Sequence, residues 1–444
     1  MSDKKTEMTA GIPARTVAVR VLMAVLLKGR PFEAAFDELS AGAKLEPRDR
    51  AFALELVMTV LRRKGSLTHV MDGLLSKGGL PFEATWTRHA LLVALAQLLI
   101  LDTPAHAAVD QTVGLIKNLN GKEAGFAPLV NAVLRRAVRE KDEWVAALNA
   151  APELDIADWL RESWTAAYGA EAVAAIGLSL RSVPPLDISL KDDSDKVVWA
   201  EKLQATLMPT GTLRRALTDV RALPGFETGD WWVQDMAAAI PATLLGDVSG
   251  KHVLDLCAAP GGKTMQLAAR GADVTAVDRN KNRLKRLAEN IARVGLEDRV
   301  EIEAEDAASY VPAVSAADAI LVDAPCSATG TLRRNPDVMW TKGRADVEKL
   351  ADLQARILDH AFSLLPAGGR LVYCVCSLEP SEGIDQIEAF LTRTPEARRE
   401  ALTASEVGGI SAFVTDKGDL LTLPSMLGQE GGVDGFYAAR IVRA

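Results

Sequence analysis

The chain contains a short apolar run that stops abruptly at an acid, a proline and a cysteine: Ala319-Ile320-Leu321-Val322-Asp323-Ala324-Pro325-Cys326-Ser327. Such a run predicts a strand that is buried on both faces, as strands of parallel sheets are, and Pro325 is expected to end it. The carboxylate of Asp323 and the thiol of Cys326 are then left at the strand tip. In α/β proteins this edge of the sheet is where ligands bind.

A second stretch of the chain repeats this arrangement. Gly369-Arg370-Leu371-Val372-Tyr373-Cys374-Val375-Cys376-Ser377 is another apolar run that ends in Cys-Ser. If the two strands are neighbours, their tips aim Cys326 and Cys376 into one crevice. The other two cysteines, Cys257 and Cys374, are interpreted as small buried hydrophobic residues.

Composition and cysteine usage limit the class of protein. Hydrophobic content of 48% and charged content of 25% are typical of a folded protein. The longest apolar run, 90–101, is interrupted by Gln97 and is about half of the ~20 residues that a membrane span needs. With no apolar signal core at the N-terminus, we expect a cytoplasmic protein without a membrane partner. Disulfides are not expected in the reducing cytoplasm. Only one histidine, His252, lies close in sequence to a cysteine, so no metal site is predicted.

Charge is unevenly distributed along the chain. Residues 1–141 contain 20 Lys and Arg against 14 Asp and Glu, whereas the remainder contains 31 against 45. The first third is therefore basic within a chain of net charge −8. This asymmetry permits contact with nucleic acid through the first third, although it does not require it.

The hydrophobic periodicity predicts three parts. Residues 1–145 have apolar residues at three- and four-residue spacing throughout, which predicts an all-α domain. Residues 146–230 predict a connector of helices and a small α+β module. In residues 231–444, predicted strands alternate with predicted helices, which implies an α/β domain of the Rossmann-like type with a parallel, doubly wound sheet.

The first predicted strand of this α/β domain leads into a glycine-rich turn, Ala258-Ala259-Pro260-Gly261-Gly262-Lys263-Thr264. The turn lacks both the GxGxxG pattern of dinucleotide sites and the first glycine of a P-loop. Acids stand at or after four successive predicted strands: Asp255, Asp278, Asp306 and Asp323. S-adenosylmethionine fits this pattern better, because it has an ammonium, a ribose diol and an adenine amine but no pyrophosphate.

Four motifs resemble those of RNA cytosine-5 methyltransferases: Leu256–Thr264, Asp323–Gly330, Arg333–Asp337 and Tyr373–Ser377. Across its whole length the chain is similar to the RsmB/Sun family, which acts on small-subunit ribosomal RNA. The resemblance implies a NusB-like all-α front domain, an S-adenosylmethionine-dependent methyltransferase domain and 16S ribosomal RNA as partner and substrate.

The resemblance also implies roles for individual residues. Cys376 aligns with the nucleophile that adds to C6 of cytosine, Cys326 with the residue that assists release, and Asp323 with the contact to N3. Lys263 is expected to supply positive potential, which lowers the pKa of a nearby thiol. The residues expected to bind the cofactor are Cys257, Ala258, Ala259, Pro260, Gly261, Gly262, Lys263, Asp278, Arg283, Asp306 and Asp323.

Two alternatives remain open at this stage. The same chemistry can act on transfer RNA, or the chain can be a NusB-like RNA-binding protein with a silent methyltransferase domain. A silent domain has no use for both Cys326 and Cys376, which favours the enzyme. A methyltransferase acting on an exocyclic amine would have Asn/Asp-Pro-Pro-aromatic at the fourth strand, where this chain has Asp-Ala-Pro-Cys.

Overall fold

The computed structural model describes residues 12–75, 79–312 and 317–444, and these residues form two compact units. The first unit extends to Arg181 and also contains Asn335–Gly343, and the second contains Ser182–Arg334 and Arg344–Ala444. No helix in the described ranges is long and apolar enough to cross a membrane. The predicted connector, 146–230, is thus divided between the two units.

The first unit is helical. Its helices are α1 (Ile12–Lys28), α2 (Phe32–Gly42), α3 (Pro47–Leu74), α4 (Thr85–Leu99), α5 (Ala105–Lys117), α6 (Ala127–Arg139), α7 (Lys141–Ala150), α8 (Asp158–Tyr168) and α9 (Ala170–Leu180), with the short α14 (Val338–Thr341) added from later in the chain. Helix α4 is buried on nearly every side, which explains its long apolar run without a membrane. Gln97, which interrupts this run, is hydrogen-bonded at both ends of its side-chain amide. It accepts a hydrogen bond from Arg15 Nε (2.9 Å) and donates one to Val93 O (3.0 Å).

Two sets of contacts complete the helical unit. Asp155, which is fully buried, pairs with Arg63 Nε at 2.9 Å and Arg181 Nε at 2.7 Å, so residues 152–181 are attached to α3. In the Asn335–Gly343 segment, Trp340 Nε1 donates to Leu61 O at 2.8 Å, and Lys64 Nζ lies 4.1 Å from the centre of the Trp340 ring. A segment far along the chain is therefore part of this unit.

The second unit contains two sheets. The small sheet is antiparallel, in the order β2 (Thr206–Leu207), β3 (Leu213–Arg215), β1 (Leu186–Leu190), β4 (Trp231–Val233), and α10 (Lys196–Lys202) lies between β1 and β2 in sequence. Asp187 binds Arg214 through both carboxylate oxygens at 2.7 Å, and Arg214 also donates to Gly432 O at 2.7 Å. This buried ion pair joins the small sheet to the C-terminal part of the same unit.

The large sheet follows the order β10-β12-β9-β8-β5-β6-β7, with β11 paired to β12. Its strands are β5 (His252–Leu256), β6 (Asp273–Val277), β7 (Val300–Glu303), β8 (Ala319–Asp323), β9 (Arg370–Val375), β10 (Ala397–Arg399), β11 (Leu420–Thr422) and β12 (Phe436–Arg443), and its helices are α11 (Met236–Thr243), α12 (Gly262–Ala269), α13 (Lys281–Val294), α15 (Arg344–Leu364) and α16 (Ile384–Arg393). Side chains of β8 alternate between two apolar clusters, Leu321 in one and Ile320 and Val322 in the other. The strand is thus buried on both faces, as its sequence predicted.

The sheet departs from the prediction at one edge. Strands β5 to β9 are parallel, but β12 pairs antiparallel with β9, and β10 and β11 pair antiparallel with β12. The prediction of a fully parallel sheet was therefore wrong for this edge. Between β10 and β12 the chain forms only short 3₁₀ turns and β11, and a further parallel strand would need a longer crossover, usually a helix.

Candidate active site

The two strand tips that carry cysteines are neighbours in the sheet. Strands β8 and β9 pair in parallel, with Asp323 opposite Cys374, so both strands end at the same edge of the sheet. Beyond these ends, Cys326 Sγ and Cys376 Sγ are 3.4 Å apart, and both residues are partly buried. The structure thus brings together the two thiols that the sequence placed in one crevice.

The backbone after β8 is fixed to the backbone after β9. Ala324 N donates to Cys374 O at 2.9 Å, and Gly330 N donates to Cys376 O at 3.0 Å. Gly330 O in turn accepts from Gly435 N at 2.8 Å. A Cβ atom at Gly330 would lie 1.9 Å from Gly435 O, so only glycine fits this close approach of three segments.

The ammonium of Lys263 lies at the same edge of the sheet. Lys263 is buried, and its Nζ lies 2.9 Å from Asp323 Oδ2 and 4.9 Å from the centre of the Phe436 ring. Burial alone would lower the pKa of Lys263, but the negative charge of Asp323 and the thiols of Cys374 and Cys376 outweigh it and raise that pKa. Lys263 therefore keeps its positive charge beside the thiols.

The thiols differ in their surroundings. The hydrogen bond with Cys376, together with burial and the negative charge of Glu382, raises the pKa of Cys326 well above its usual value. Cys374 is fully buried, its Sγ is 3.6 Å from Asp323 Oδ1, and burial raises its pKa as well. In Cys257, burial and the nearby carboxylates raise the thiol pKa. These three thiols are therefore held in the neutral form.

The predicted cofactor turn follows β5. Cys257 has a φ of 64° and Gly261 a φ of 104°, and Gly261 directly precedes helix α12. Helix α13 holds the turn from the side: Arg283 donates to Ala259 O, and Asn290 Nδ2 donates to Pro260 O at 3.0 Å. The turn is thus built by backbone conformation and braced by side chains of another helix.

The acids after the strands have different environments. Asp278, at the end of β6, is buried; its Oδ1 accepts from Asn280 N at 2.9 Å, while Oδ2 lies 3.2 Å from Arg283 Nη1 but accepts no hydrogen bond from the described residues. An unfilled buried acceptor here fits a ribose diol. Asp306 is exposed, and its Oδ1 accepts from Ala308 N at 2.9 Å. Asp255 is fully buried within β5 and accepts from Thr264 Oγ1 at 2.6 Å, so it braces the turn from behind.

Some residues of the site were not predicted from the sequence. Glu382 and Gln354 are fully buried next to the cysteine turns. Glu382 accepts hydrogen bonds from Ser327 and Ser377, which follow the cysteines, and Gln354 donates to Pro325 O and to Glu382. The signal in the sequence was the serine after each cysteine, Ser327 and Ser377, because each hydroxyl group needs a hydrogen-bond partner once it is buried.

The glycine-rich turn, the acid after β6 and the polar edge of a parallel sheet define an S-adenosylmethionine-dependent methyltransferase. Comparisons with known proteins agree: residues 242–442 match the family described as 16S rRNA methyltransferase RsmB/F, and residues 12–139 match the NusB family. Ribosomal RNA small subunit methyltransferase B of Pseudomonas putida is 37% identical over 420 residues, which cover 90% of this chain and 92% of that protein. The protein of the same name from Xylella fastidiosa is 36% identical over 459 residues, covering 98% and 99%. The chain therefore belongs to the ribosomal RNA small subunit methyltransferase B family.

Solved structures show the same fold. The crystal structure of PH0851 superimposes with a TM-score of 0.74 at 22% sequence identity, covering 96% of this chain and 99% of that one. The expected family, the NusB-like helical front domain, the Rossmann-like methyltransferase domain and S-adenosylmethionine as cofactor are confirmed. The chain is an RNA methyltransferase.

Proposed function

We propose that this protein methylates C5 of a cytidine in 16S ribosomal RNA through a covalent adduct between Cys376 and C6 of the base. The observation that carries the proposal is the pair of thiols, 3.4 Å apart, at the tips of two neighbouring parallel strands. The substrate is inferred from the names of the relatives, which are ribosomal RNA small subunit methyltransferases B. The expected cytoplasmic location stays a prediction.

The proposed chemistry needs a nucleophile because C5 of cytosine is too weak a nucleophile to be methylated directly. The thiolate of Cys376 adds to C6, and the electron pair of the C5–C6 double bond becomes available at C5. Bound S-adenosylmethionine would supply the electrophilic methyl group for C5, with S-adenosylhomocysteine as the leaving group. Asp323, held by Lys263 at 2.9 Å, contacts N3 and offsets the charge that develops on the ring.

Release of the product needs a base. A base takes the proton from C5, the electron pair of the C5–H bond forms the C5–C6 double bond again, and the thiolate of Cys376 leaves with the assistance of Cys326. The target base must be unpaired or flipped out of its helix to reach this edge of the sheet. Gly261, Gly262 and the other predicted residues of the cofactor turn, with Asp278, Arg283 and Asp306, are proposed to hold the cofactor.

The test is methyl transfer from labelled S-adenosylmethionine to protein-free small-subunit ribosomal RNA, with each reaction also run on a denaturing gel. We expect transfer by the wild type, none by Cys376→Ala, and an RNA-linked protein band with Cys326→Ala. Cys374→Ala is the comparison: it removes from the body of the same strand a thiol that contacts Asp323, and it should lower transfer far less than Cys376→Ala. A linked band with Cys376→Ala instead would reverse the roles of the two thiols.

The same experiment separates the alternatives. Transfer by the wild type to transfer RNA but not to ribosomal RNA would change the substrate and leave the mechanism intact. Binding of RNA without transfer to either would indicate an RNA-binding protein with a silent methyltransferase domain.

A further inference from the structure

Glu382 is a fully buried carboxylate in the 3₁₀ turn Pro380–Glu382, between β9 and α16. Its Oε1 accepts hydrogen bonds from Ser327 N at 2.8 Å and Gln354 Nε2 at 3.0 Å. Its Oε2 accepts from Ser377 Oγ at 2.5 Å and from Ser327 Oγ. Ser327 follows β8, Gln354 lies on α15, and Ser377 lies five residues before Glu382 in the same connection.

Two of these partners directly follow the catalytic pair. Ser327 is the residue after Cys326, and Ser377 is the residue after Cys376, and their hydroxyl oxygens are 3.1 Å apart. Gln354 adds a third connection, since its Nε2 also donates to Pro325 O at 2.9 Å. One carboxylate thus connects the turn after β8 with the turn after β9.

The burial of this carboxylate is compensated by hydrogen bonds. Within the described ranges, no Lys or Arg forms an ion pair with Glu382, so its four hydrogen bonds supply the compensation that a buried carboxylate needs. A neutral side chain can connect two serines with less desolvation. A carboxylate offers acceptors only, however, which matches the four donors around it, and through these donors its charge and geometry act on the turns that carry the thiols.

We propose that Glu382 is a positioning residue for methyl transfer: its carboxylate holds the Cys326 and Cys376 turns in the register that the reaction needs. The inference rests on the proposed function, in which both thiols act on one base. Because the strands end before either cysteine, the sheet ladder alone does not fix the two thiols. The four hydrogen bonds to Glu382 fix the residues next to them.

The negative charge of Glu382 has a second consequence, which is electrostatic. The hydrogen bond with Cys376 and burial are the larger causes of the raised pKa of Cys326, and the charge of Glu382 adds to them. Glu382 therefore helps to keep the proton on Cys326, so that this thiol remains neutral while the other acts as nucleophile. A structural hydrogen bond without charge would not have this effect.

The test compares Glu382→Gln with Tyr373→Phe. Glu382→Gln keeps the size of the side chain and removes its charge and part of its acceptor capacity. Tyr373→Phe removes a buried hydrogen bond to the same residue, from Tyr373 Oη to Glu382 O at 2.7 Å, but leaves the carboxylate intact. We expect Glu382→Gln to lower kcat for ribosomal RNA by about 10- to 100-fold with little change in KM. Tyr373→Phe should stay within about 3-fold of the wild type.

A second readout does not depend on RNA. The rate at which iodoacetamide alkylates Cys326 is measured against pH in the Cys376→Ala background, with and without Glu382→Gln. We expect Glu382→Gln to shift the rise in alkylation to lower pH, and Tyr373→Phe to leave it in place. If Glu382→Gln does not fold, Ser377→Ala removes one of the four bonds and should give a smaller fall in kcat.

The outcomes separate this inference from the proposed function. If the wild type is active and Glu382→Gln keeps both kcat and the alkylation profile, the positioning role is refuted. An equal loss of kcat in Tyr373→Phe, with no shift in alkylation, would show that Glu382 only stabilises the fold. Failure of the wild type to methylate any RNA would instead refute the proposed function, and the alkylation experiment would still test the effect of Glu382 on Cys326.

Discussion

Gly330→Ala is expected to displace the two cysteine turns without disturbing the cofactor turn. A Cβ atom added at Gly330 would lie 1.9 Å from Gly435 O, 2.6 Å from Gly435 C and 3.0 Å from Cys376 O. All three are backbone atoms, so no flexible side chain can move aside. Ordinary contacts of a Cβ atom begin at 3.4 Å, and the backbone must therefore move by about 1.5 Å.

The size of the effect follows from this displacement. Gly330 N donates to Cys376 O, so a shift of Gly330 breaks or moves the bond that positions Cys376, the proposed nucleophile. Overpacking of a close-packed site costs about 1–3 kcal/mol of stability. A misplacement of about 1 Å in a catalytic geometry costs on the order of 100-fold in rate. We therefore expect a folded protein whose kcat for methyl transfer is about 100-fold lower.

The assay is steady-state methyl transfer to ribosomal RNA, with equilibrium dialysis of labelled S-adenosylmethionine to measure cofactor affinity. Cofactor affinity should be unchanged, because Gly330 is not part of the cofactor turn. Gly428→Ala is the matched control, since Gly428 is exposed and a Cβ atom there meets nothing within 4 Å. If Gly330→Ala has the kcat of Gly428→Ala, the close approach of the three segments does not position the nucleophile.

Three further predictions concern the same unit. Asp278→Asn removes the charged acceptor proposed for the ribose diol and should weaken S-adenosylmethionine binding by about 10- to 100-fold in equilibrium dialysis, and unchanged affinity would contradict the proposed role. Burial raises the pKa of Asp255 to about 7, so the folded protein holds a proton that the unfolded chain releases near pH 4. Asp255 should therefore make the free energy of unfolding fall by up to about 1.4 kcal/mol per pH unit as the pH rises from 4 to 7. Asp255→Asn should remove this contribution from the difference between urea titrations at pH 5 and 7, and an equal slope in both proteins would refute the assignment. Diamide, an oxidant of thiols, should join Cys326 and Cys376 in a disulfide, because their sulfur atoms are 3.4 Å apart. Methyl transfer should then stop and return with dithiothreitol, and mass spectrometry that finds both thiols free after treatment would show that they do not meet in solution.

The main features of the α/β unit were predictable because they depend on local pattern. The run 319–323 forms the strand that its apolar residues predicted. The adjacency of Cys326 and Cys376 followed from two similar strand ends. Each of these patterns lies within a few neighbouring residues, so it can be recognised without knowledge of the tertiary structure.

Features that depend on distant contacts were not predictable in the same way. The direction of β12 is set by pairing with β9, and nothing in its own apolar sequence distinguishes a parallel from an antiparallel strand. Glu382 looks like an ordinary residue of a polar turn until the fold buries it against Ser327 and Ser377. Asp255 was grouped with the acids at strand tips, but the fold places it inside β5, where it accepts from Thr264.

The Asn335–Gly343 segment of the helical unit has a consequence for how the protein is made. This segment follows Arg334 of the second unit in the chain, yet Trp340 donates to Leu61 O and Trp159 Nε1 donates to Met339 O within the helical unit. During synthesis from the N-terminus, the helices up to Arg181 emerge from the ribosome long before this segment exists. The NusB-like unit therefore cannot complete its packing until translation has passed Gly343.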